Sequence, residues 1–185
     1  MLATSTFAER VTAKRLSVLA ILEQYPSISL SVNEFLSMLP PMRPRLYSIS
    51  SSPAWNPSYA SLTWSVLDAP AYSGVGRFQG VASNHLLDLS SGSILRVSIK
   101  NSNSQFHPPI DMARSPVIMI ASGSGLGPFR AFLQEMERYR REEKPLARAL
   151  LFFGCKGPDK DDLYRKEFDE FERSGIVRII RAVQY

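Results

Sequence analysis

Three side chains that could do chemistry stand close together in one extended segment: Arg45, Tyr47 and Ser48. In a strand, residues two apart point to the same face, so Arg45 and Tyr47 would project from one side of a sheet. A guanidinium offers forked donors to phosphate oxygens, and a phenol ring offers a stacking face. This pairing suits a ligand with a phosphate beside an aromatic ring system, such as a flavin dinucleotide. The alternative is an edge strand with a solvent-reaching Arg and a half-buried Tyr.

The stretch Gly80-Val81-Ala82-Ser83 is a second candidate binding segment. Small residues let a backbone approach a ligand closely. Ser83 stands where a helix N-cap is expected, and the free amides of such a helix start form an anion site. Together with Arg45, this helix start is predicted to hold a pyrophosphate. An ordinary cap at Ser83 is the alternative, and both interpretations can hold at once.

A glycine-rich turn follows a continuous apolar run at residues 116–121. Gly123 and Gly125 permit a tight turn, and Ser124 can donate a hydrogen bond to phosphate. Pro128 suits the first position of a helix. The order of strand, glycine turn and helix predicts the first unit of a nucleotide-binding sheet. The turn departs from the regular G-x-G-x-x-G pattern, and a glycine turn alone is weak evidence.

Strand and helix patterns alternate after about residue 115. We predict strands at 116–121, 147–153 and 176–183, with helices at 128–141 and 159–174. A βαβαβ order predicts a parallel sheet. Ligands bind such sheets beyond the carboxyl ends of the strands. Three features fall at that edge: the Gly123 turn, Cys155-Lys156 and Gln184-Tyr185.

The earlier part of the chain carries helical patterns and then strand patterns. One helix is predicted at about residues 8–25, ended by Pro26. Ser31 and Glu34 form a capping-box signature that starts a second, short helix. We predict strands at about 43–50, 60–67 and 93–100, and a loop at 69–78.

Composition describes a globular protein: 185 residues, 44% hydrophobic, 21% charged and a net charge of +5. No apolar run is long enough to cross a bilayer, and the first residues lack the layout of a secretory signal. The single cysteine, Cys155, excludes an internal disulfide framework and fits a reducing compartment. The Lys and Arg residues are scattered, so the charge predicts no nucleic-acid surface. We therefore expect a cytoplasmic location, or the cytoplasmic face of a membrane if a full-length protein is anchored.

These motifs together resemble the FAD- and NADPH-binding part of the diflavin reductases, the family of NADPH–cytochrome P-450 reductase and of the reductase half of fused cytochrome P-450 monooxygenases. The resemblance covers essentially the whole chain, in order. The segments that match family motifs are Arg45-Leu46-Tyr47-Ser48, Gly80-Val81-Ala82-Ser83, the Gly123–Arg130 turn, Phe153-Gly154-Cys155 and Asp162-Leu163-Tyr164. The helices before Arg43 resemble the end of the family's helical connecting region.

The resemblance implies a role for each part of the flavin motif. Arg45 pairs with the FAD pyrophosphate, and Tyr47 stacks on the isoalloxazine. Ser48, the one predicted catalytic residue, hydrogen-bonds near the flavin atom that accepts hydride. The other implied FAD-binding residues are Leu46, Trp64, Ser65, Val66, Gly80, Val81, Ala82 and Ser83.

On the nucleotide side, the resemblance implies that Ser124 contacts NADPH phosphate within the turn formed by Gly123 and Gly125. Lys156 takes a supporting role at the nucleotide. Cys155 is better explained as a small residue at a strand end than as a hydride-transfer group. The turn has Gly127 where the family usually has alanine, and we expect this to add flexibility.

The fold implied by the resemblance is an antiparallel FAD-binding β-barrel, incomplete at its N-terminal side, followed by a truncated parallel-sheet NADPH-binding domain. The predicted boundaries are residues 1–42 for the end of the connecting region, 43–114 for the barrel and 115–185 for the NADPH-binding domain. The implied function is that of an NADPH–haemoprotein reductase. NADPH gives hydride to FAD, and electrons pass through FMN to a cytochrome P-450-type haem monooxygenase.

The FMN domain and the haem monooxygenase are expected in trans or in a longer fused chain. Because the segments that hold the nicotinamide in this family are expected beyond Tyr185, we expect the chain to bind FAD without its reduction by NADPH. Two alternatives stay open. The chain is a non-catalytic remnant with partial or no flavin binding, or it is a single-flavin reductase of the ferredoxin–NADP type.

Overall fold

The computed structural model describes residues 6–101, 106–157 and 159–183. The chain forms two compact units, each of two segments: Met1–Arg45 with Val66–Ser91 in the first unit, and Leu46–Ser65 with Gly92–Tyr185 in the second. No helix among the described residues is long and apolar enough to cross a membrane. The domain boundaries after residues 42 and 114 remain a prediction.

The first unit begins with a π-helical turn at Ala8–Thr12, followed by helix α1 at Val18–Gln24. The single helix predicted at 8–25 is therefore wrong. Arg15 takes a left-handed backbone conformation with φ 49°, which ends the first turn. Ser17 then caps α1, because its Oγ accepts a hydrogen bond from the backbone N–H of Ala20 at 3.0 Å.

Helix α2, at Val32–Met38, has the predicted capping box. The backbone N–H of Glu34 donates to Ser31 Oγ at 3.3 Å, and the backbone N–H of Ser31 donates to Glu34 Oε2 at 3.0 Å. The Ser31 hydroxyl also donates to Glu34 Oε2, at 2.6 Å. This hydrogen bond, and next the one from the Ser31 backbone N–H, lower the pKa of the Glu34 carboxyl from its ordinary value. The start of α2 is thus fixed by two residues three positions apart.

An antiparallel hairpin forms between β1 at Asp68–Pro70 and β2 at Arg77–Gln79. The loop predicted at 69–78 is wrong, because its two ends pair as strands. Gly74 and Gly76 take φ values of 79° and 70° in the connection, a conformation that glycine adopts at little cost. Helix α3 follows at Val81–Leu87.

The second unit contains the predicted parallel sheet. Strands β3 (Val117–Ser122), β4 (Ala149–Cys155) and β5 (Arg178–Val183) pair in that order and all run parallel. Helix α4 at Gly127–Arg141 connects β3 to β4, and α5 at Arg165–Arg173 precedes β5. The predicted elements are confirmed, with ends shifted by a few residues and a shorter second helix.

One face of this sheet forms the core. The buried residues come from alternate positions of the strands and from both helices: Met119, Leu151, Phe153, Leu133, Met136, Phe168 and Phe171. The opposite face of the sheet is open, with Ile118 67% and Ile120 74% exposed. Parallel strands are normally covered on both faces. The apolar run at 116–121 is therefore buried on one side only.

The fold class is confirmed, since an antiparallel strand pair and a three-stranded parallel sheet occur together with helices. The three barrel strands predicted at 43–50, 60–67 and 93–100 do not form. In the described residues they contribute one antiparallel bridge, between Ile49 and Leu62. Ile94 is 93% exposed. Alternating side chains indicate a strand only if a partner strand supplies the hydrogen bonds of the ladder.

Candidate functional site

The glycine turn after β3 has the predicted geometry. Gly123 has φ +52°, a left-handed value that favours glycine, and residues Gly123–Leu126 form a 3₁₀ turn. The turn leads directly into α4, with Pro128 in the first helical positions. Gly125 has open space on its Cβ side. The backbone of this turn is accessible to a ligand at the end of β3.

A cavity of about 230 Å³ lies at the carboxyl edge of the parallel sheet. Its floor is a row of small residues that are neighbours in the strand register: Ser122, Gly154 and Ala182. Its other lining residues are Ser65, Gly123, Cys155, Lys156 and Asp161. The structure thus brings together three predicted cofactor-binding residues, one from each of three segments: Ser65, Gly123 and Lys156.

The loop after β4 is held by Asp161. Its Oδ1 accepts hydrogen bonds from the backbone N–H groups of Lys156 at 2.5 Å and Gly157 at 3.3 Å. The Lys156 side chain remains exposed at the cavity. A cation at the end of a parallel strand, beside small side chains, is suited to an anionic ligand.

The flavin motif is divided between the two units. In the first unit Arg45 is exposed, and its Nη1 donates to the backbone oxygen of Arg43 at 2.7 Å. In the second unit Tyr47 is half-buried and Ser48 is exposed. Arg45 has no ion pair with any residue in the described part of the chain. Its guanidinium is therefore open to an anionic ligand.

The remaining predicted flavin residues vary in exposure. Trp64 is half-buried and Ser65 exposed in the second unit, while Leu46 is 75% exposed. In the first unit Val66 is 41% and Val81 60% exposed. These positions leave several predicted contact residues open to solvent.

The prediction that Ser83 caps a helix is wrong. The N-cap of α3 is Gly80, whose extended backbone precedes Val81. Ser83 is buried inside the helix, where its Oγ accepts from the backbone N–H of Leu67 at 3.0 Å and donates to the Gly80 oxygen at 3.1 Å. Ala82, the residue before Ser83 in the helix, is half-buried. Ser83 thus ties the helix to the segment before β1.

Gly80 is required by close packing at this helix start. A Cβ on Gly80 would lie 2.8 Å from Ser83 Oγ and 2.9 Å from Leu67 Cβ. Separations below 3.0 Å force a shift of the neighbouring atoms. At this point the absence of a side chain on Gly80 makes room for the side chains of Ser83 and Leu67.

A buried polar cluster in the second unit was missed by sequence reasoning. Arg130, only 9% exposed, donates from Nε to Glu167 Oε2 at 2.6 Å. Its Nη1 donates to the Ser50 backbone oxygen at 2.8 Å and to Ser61 Oγ at 3.0 Å. The available signal was an arginine and a glutamine, Gln134, one helical turn apart on a helix face that is otherwise apolar.

Gly127 provides space for close packing, and the flexibility expected of this residue stays a prediction. Its backbone is helical, with φ −48°. A Cβ there would lie 3.2 Å from Ser50 Cβ and 3.4 Å from Thr63 Cβ. The small residue allows the start of α4 to pack closely against the segment 50–63.

Cys155 is buried, with 5% exposure, at the end of β4. Its position agrees with the interpretation as a small residue at a strand end. Gln184 and Tyr185, predicted at the same edge, lie outside the described residues.

The residues present fit the two predicted cofactors. The cavity floor consists of small side chains, Gly123 exposes its backbone, and Lys156 supplies a cation, as a nucleotide phosphate requires. For FAD, Arg45 of the first unit has guanidinium donors that make no ion pair in the described residues. Tyr47, in the second unit, is half-buried. No group of three or more His, Cys, Asp or Glu residues in the described ranges is arranged to hold a metal ion.

Comparison with known protein families gives two matches in the same order along the chain. Residues 2–85 match the FAD binding domain, and residues 119–183 match the oxidoreductase NAD-binding domain. These two matches support FAD and NADPH as the cofactors.

The chain is also similar to curated fungal proteins named self-sufficient cytochrome P450 monooxygenases. It is 59% identical to CYP505U2 of Exserohilum turcicum over 181 residues, which are 98% of this chain and 17% of that protein. It is 51% identical to CYP505E3 of Aspergillus terreus over 172 residues, 93% of this chain and 16% of that protein. With CYP505AG1 of Oidiodendron maius the identity is 51% over 178 residues, 96% of this chain and 17% of the relative.

An FAD-binding segment followed by a nicotinamide-nucleotide sheet is the domain arrangement of the flavin- and nicotinamide-dependent oxidoreductase families. Within that class the chain belongs to the diflavin reductase family. It spans 16–17% of the length of the curated relatives described above.

Proposed function

We propose that this chain is the FAD- and NADPH-binding part of an NADPH–haemoprotein reductase. The observation that carries the proposal is the cavity at the sheet edge. Ser65, within the FAD-binding match, lines it together with Gly123 and Lys156 from the NAD-binding match. A cavity lined by both segments is suited to FAD and NADPH, which must lie close together for hydride to pass between them.

The partners in the proposal follow from the relatives' names. Those proteins are self-sufficient P450 monooxygenases, so the electron acceptor proposed here is a haem monooxygenase in the same longer chain. When bound, FAD would accept hydride from NADPH and pass electrons singly to FMN. The FMN is proposed to be bound by another domain of the longer protein. We place the protein in the cytoplasm or at the cytoplasmic face of a membrane.

On the flavin side, the proposed roles are those that the family resemblance implies, and the chemistry of each side chain suits them. Arg45 binds pyrophosphate through its forked donors, and Tyr47 stacks on the flavin ring. Ser48 donates a hydrogen bond at the flavin atom that accepts hydride and is the proposed catalytic residue. The residues that line the flavin and its phosphates are Leu46, Trp64, Ser65, Val66, Gly80, Val81, Ala82 and Ser83.

On the nucleotide side, the turn at Gly123, Ser124 and Gly125 holds NADPH phosphate through backbone N–H groups and a hydroxyl. Lys156 adds a positive charge.

The proposed domain boundaries remain residues 1–42, 43–114 and 115–185, which describe the family's domains rather than the two compact units.

The test is a titration of the purified chain with FAD, followed by visible absorbance and flavin fluorescence. We expect saturable binding that Arg45→Ala weakens on the order of tenfold or more, because a charge-assisted phosphate contact is lost. Tyr47→Ala should also weaken binding. Matched controls are Arg114→Ala and Tyr59→Ala, since these side chains are 88% and 70% exposed and lie outside the motif.

Addition of NADPH without oxygen then separates the two halves of the proposal. Bleaching of the bound flavin would show that both cofactors meet on this chain. Bound flavin that stays oxidised would show that this chain binds FAD, and that the residues contacting the nicotinamide belong to another part of a longer protein. Absence of FAD binding, with Arg45→Ala and Tyr47→Ala equal to the parent chain, would contradict the proposal.

A second candidate is a chain that does not hold flavin by itself. It is favoured by the three predicted barrel strands, which form no strand ladder in the described residues and contribute there the single bridge between Ile49 and Leu62. A barrel holds its ligand with paired strands. The same FAD titration distinguishes the two candidates.

A further inference from the structure

Arg130 connects the start of α4 to the segment that follows the flavin motif. It lies in the first turn of α4, just after the glycine turn at the cavity. Its side chain is 11% exposed and donates to Glu167 on α5 and to Ser50 and Ser61 on the segment 50–63. One guanidinium therefore joins three parts of the second unit.

The segment 50–63 is held by two further hydrogen bonds to α4. The backbone N–H of Ser52 donates to Gln134 Oε1 at 2.8 Å, and the Ser52 hydroxyl donates to Glu135. Gln134 Nε2 in turn donates to Glu167 Oε1 at 2.9 Å. The serine run is fully enclosed, because Ser50 is 0%, Ser51 4% and Ser52 2% exposed.

The geometry of the contact requires an arginine. The guanidinium carbon lies 4.5 Å from the centre of the Tyr164 ring, and the Tyr164 hydroxyl is 2.7 Å from Thr63 Oγ1. A planar fork can contact a carboxylate, a carbonyl and a ring face together. A lysine keeps the charge but not the fork, so it cannot make the same set of contacts.

We infer that Arg130 is a positioning residue for the proposed cofactor chemistry, an inference that rests on the proposed function. With Glu167 it fixes the segment 50–63 on the first turn of α4. Ser48 stands two residues before that segment, and the Gly123 turn stands just before the helix. Within the second unit, the Arg130–Glu167 pair therefore sets the spacing between Ser48 and the nucleotide turn.

The first experiment is amide hydrogen exchange on the 185-residue chain and its variants, without any cofactor. Arg130→Lys and the milder Glu167→Gln are expected to raise exchange in residues 50–63 about tenfold or more, because charge-assisted hydrogen bonds are lost. Amides in β3, β4 and β5 that exchange through local opening, rather than through global unfolding, should stay within about twofold of the parent chain. The control Arg141→Lys, on the same helix and 74% exposed, should change neither region.

A merely structural role for Arg130 predicts a different pattern, in which exchange rises equally in the segment and in the strands. That pattern, or unchanged exchange in residues 50–63 in both variants, would overturn the inference. Glu167→Gln keeps the size of the side chain and one acceptor oxygen. If Arg130→Lys does not fold, the exchange measured in Glu167→Gln therefore tests the inference.

The second readout is the visible circular dichroism of added FAD. We expect Arg130→Lys to alter the flavin band, which depends on the orientation of the ring in its site. FAD affinity should change less than about threefold, because Arg130 is buried and is not one of the proposed cofactor-binding residues. An unchanged band with altered affinity would contradict positioning. If no protein binds FAD, the proposed function fails, and the exchange comparison alone decides the role of Arg130.

Discussion

Gly127 packs so closely on Ser50 that a Cβ at Gly127 would lie 3.2 Å from the Cβ of Ser50. Gly127 opens α4, and Ser50 lies in the segment after the flavin motif. The usual family residue at this position, alanine, would therefore push against the serine run. Close approach of helix and segment explains the glycine.

This contact predicts a graded response to side-chain size at position 127. Gly127→Val should destabilise the chain by about 2 kcal/mol, because overpacking of a filled site costs about 1–3 kcal/mol. In Gly127→Ala the crowding is offset by the helix propensity of alanine, worth about 1 kcal/mol, so the change should be within about 1 kcal/mol. The measurement is urea unfolding at equilibrium. Equal effects of the two substitutions would contradict the packing argument.

The Arg130–Glu167 pair should show strong coupling in a double-mutant cycle. Arg130→Met alone leaves Glu167, whose side chain is 27% exposed, without its cation. Breaking a buried pair costs about 3–5 kcal/mol, and partial exposure of Glu167 lowers our expectation to about 2–3 kcal/mol. Adding Glu167→Met should cost much less than the sum of the single changes. Additive effects, measured by urea unfolding, would show that the two side chains do not act as a pair.

Features set by residues close in sequence could be predicted well. The capping box at Ser31 and Glu34 and the turn at Gly123 depend on a few neighbouring residues, and both are confirmed. The parallel sheet also follows from local apolar runs and the regular alternation of strand and helix. These features require no knowledge of distant partners.

Features set by distant partners could not be predicted. The alternating pattern at residues 60–67 indicated a strand, but in the described residues this stretch forms a single β-bridge, between Leu62 and Ile49. Apolar spacing continued through the break at Arg15, so it concealed a change in backbone direction. The role of Arg130 is visible only once Ser50 and Glu167, both far away in sequence, are placed beside it.

The conformation of Gly123 predicts a cost for any side chain at the turn. Its φ of +52° lies in the left-handed region, where a Cβ costs about 1–2 kcal/mol. Gly123→Ala should therefore lower the free energy of unfolding by about 1 kcal/mol. Gly125→Ala is the control, because Gly125 has no positive φ and nothing within 4 Å of its Cβ position. Thermal unfolding of both variants tests the prediction, and equal losses would contradict it.

The capping box predicts a pH dependence at Glu34. Hydrogen bonds from Ser31 lower the pKa of Glu34 in the folded chain. A lowered folded-state pKa means that the stability contributed by Glu34 is present above its unfolded pKa and is lost as the pH falls through the folded pKa. Carboxyl carbon NMR titration should show this acidic shift, and Ser31→Ala should return the pKa toward its ordinary value. An unchanged pKa in Ser31→Ala would show that the cap is not its cause.

The two faces of the parallel sheet should respond differently to truncation. Leu151 is 0% exposed and packs in the core between the sheet and its helices. Leu151→Ala should cost about 3 kcal/mol, since removing a buried Leu side chain leaves a cavity. Ile120, one strand away and 74% exposed on the opposite face, is the matched control. Ile120→Ala should change the free energy of unfolding by less than about 0.5 kcal/mol. Urea unfolding of both variants at several protein concentrations provides the measurement. A large loss in Ile120→Ala would show that the open face is covered in solution, because truncation destabilises only where a side chain is buried.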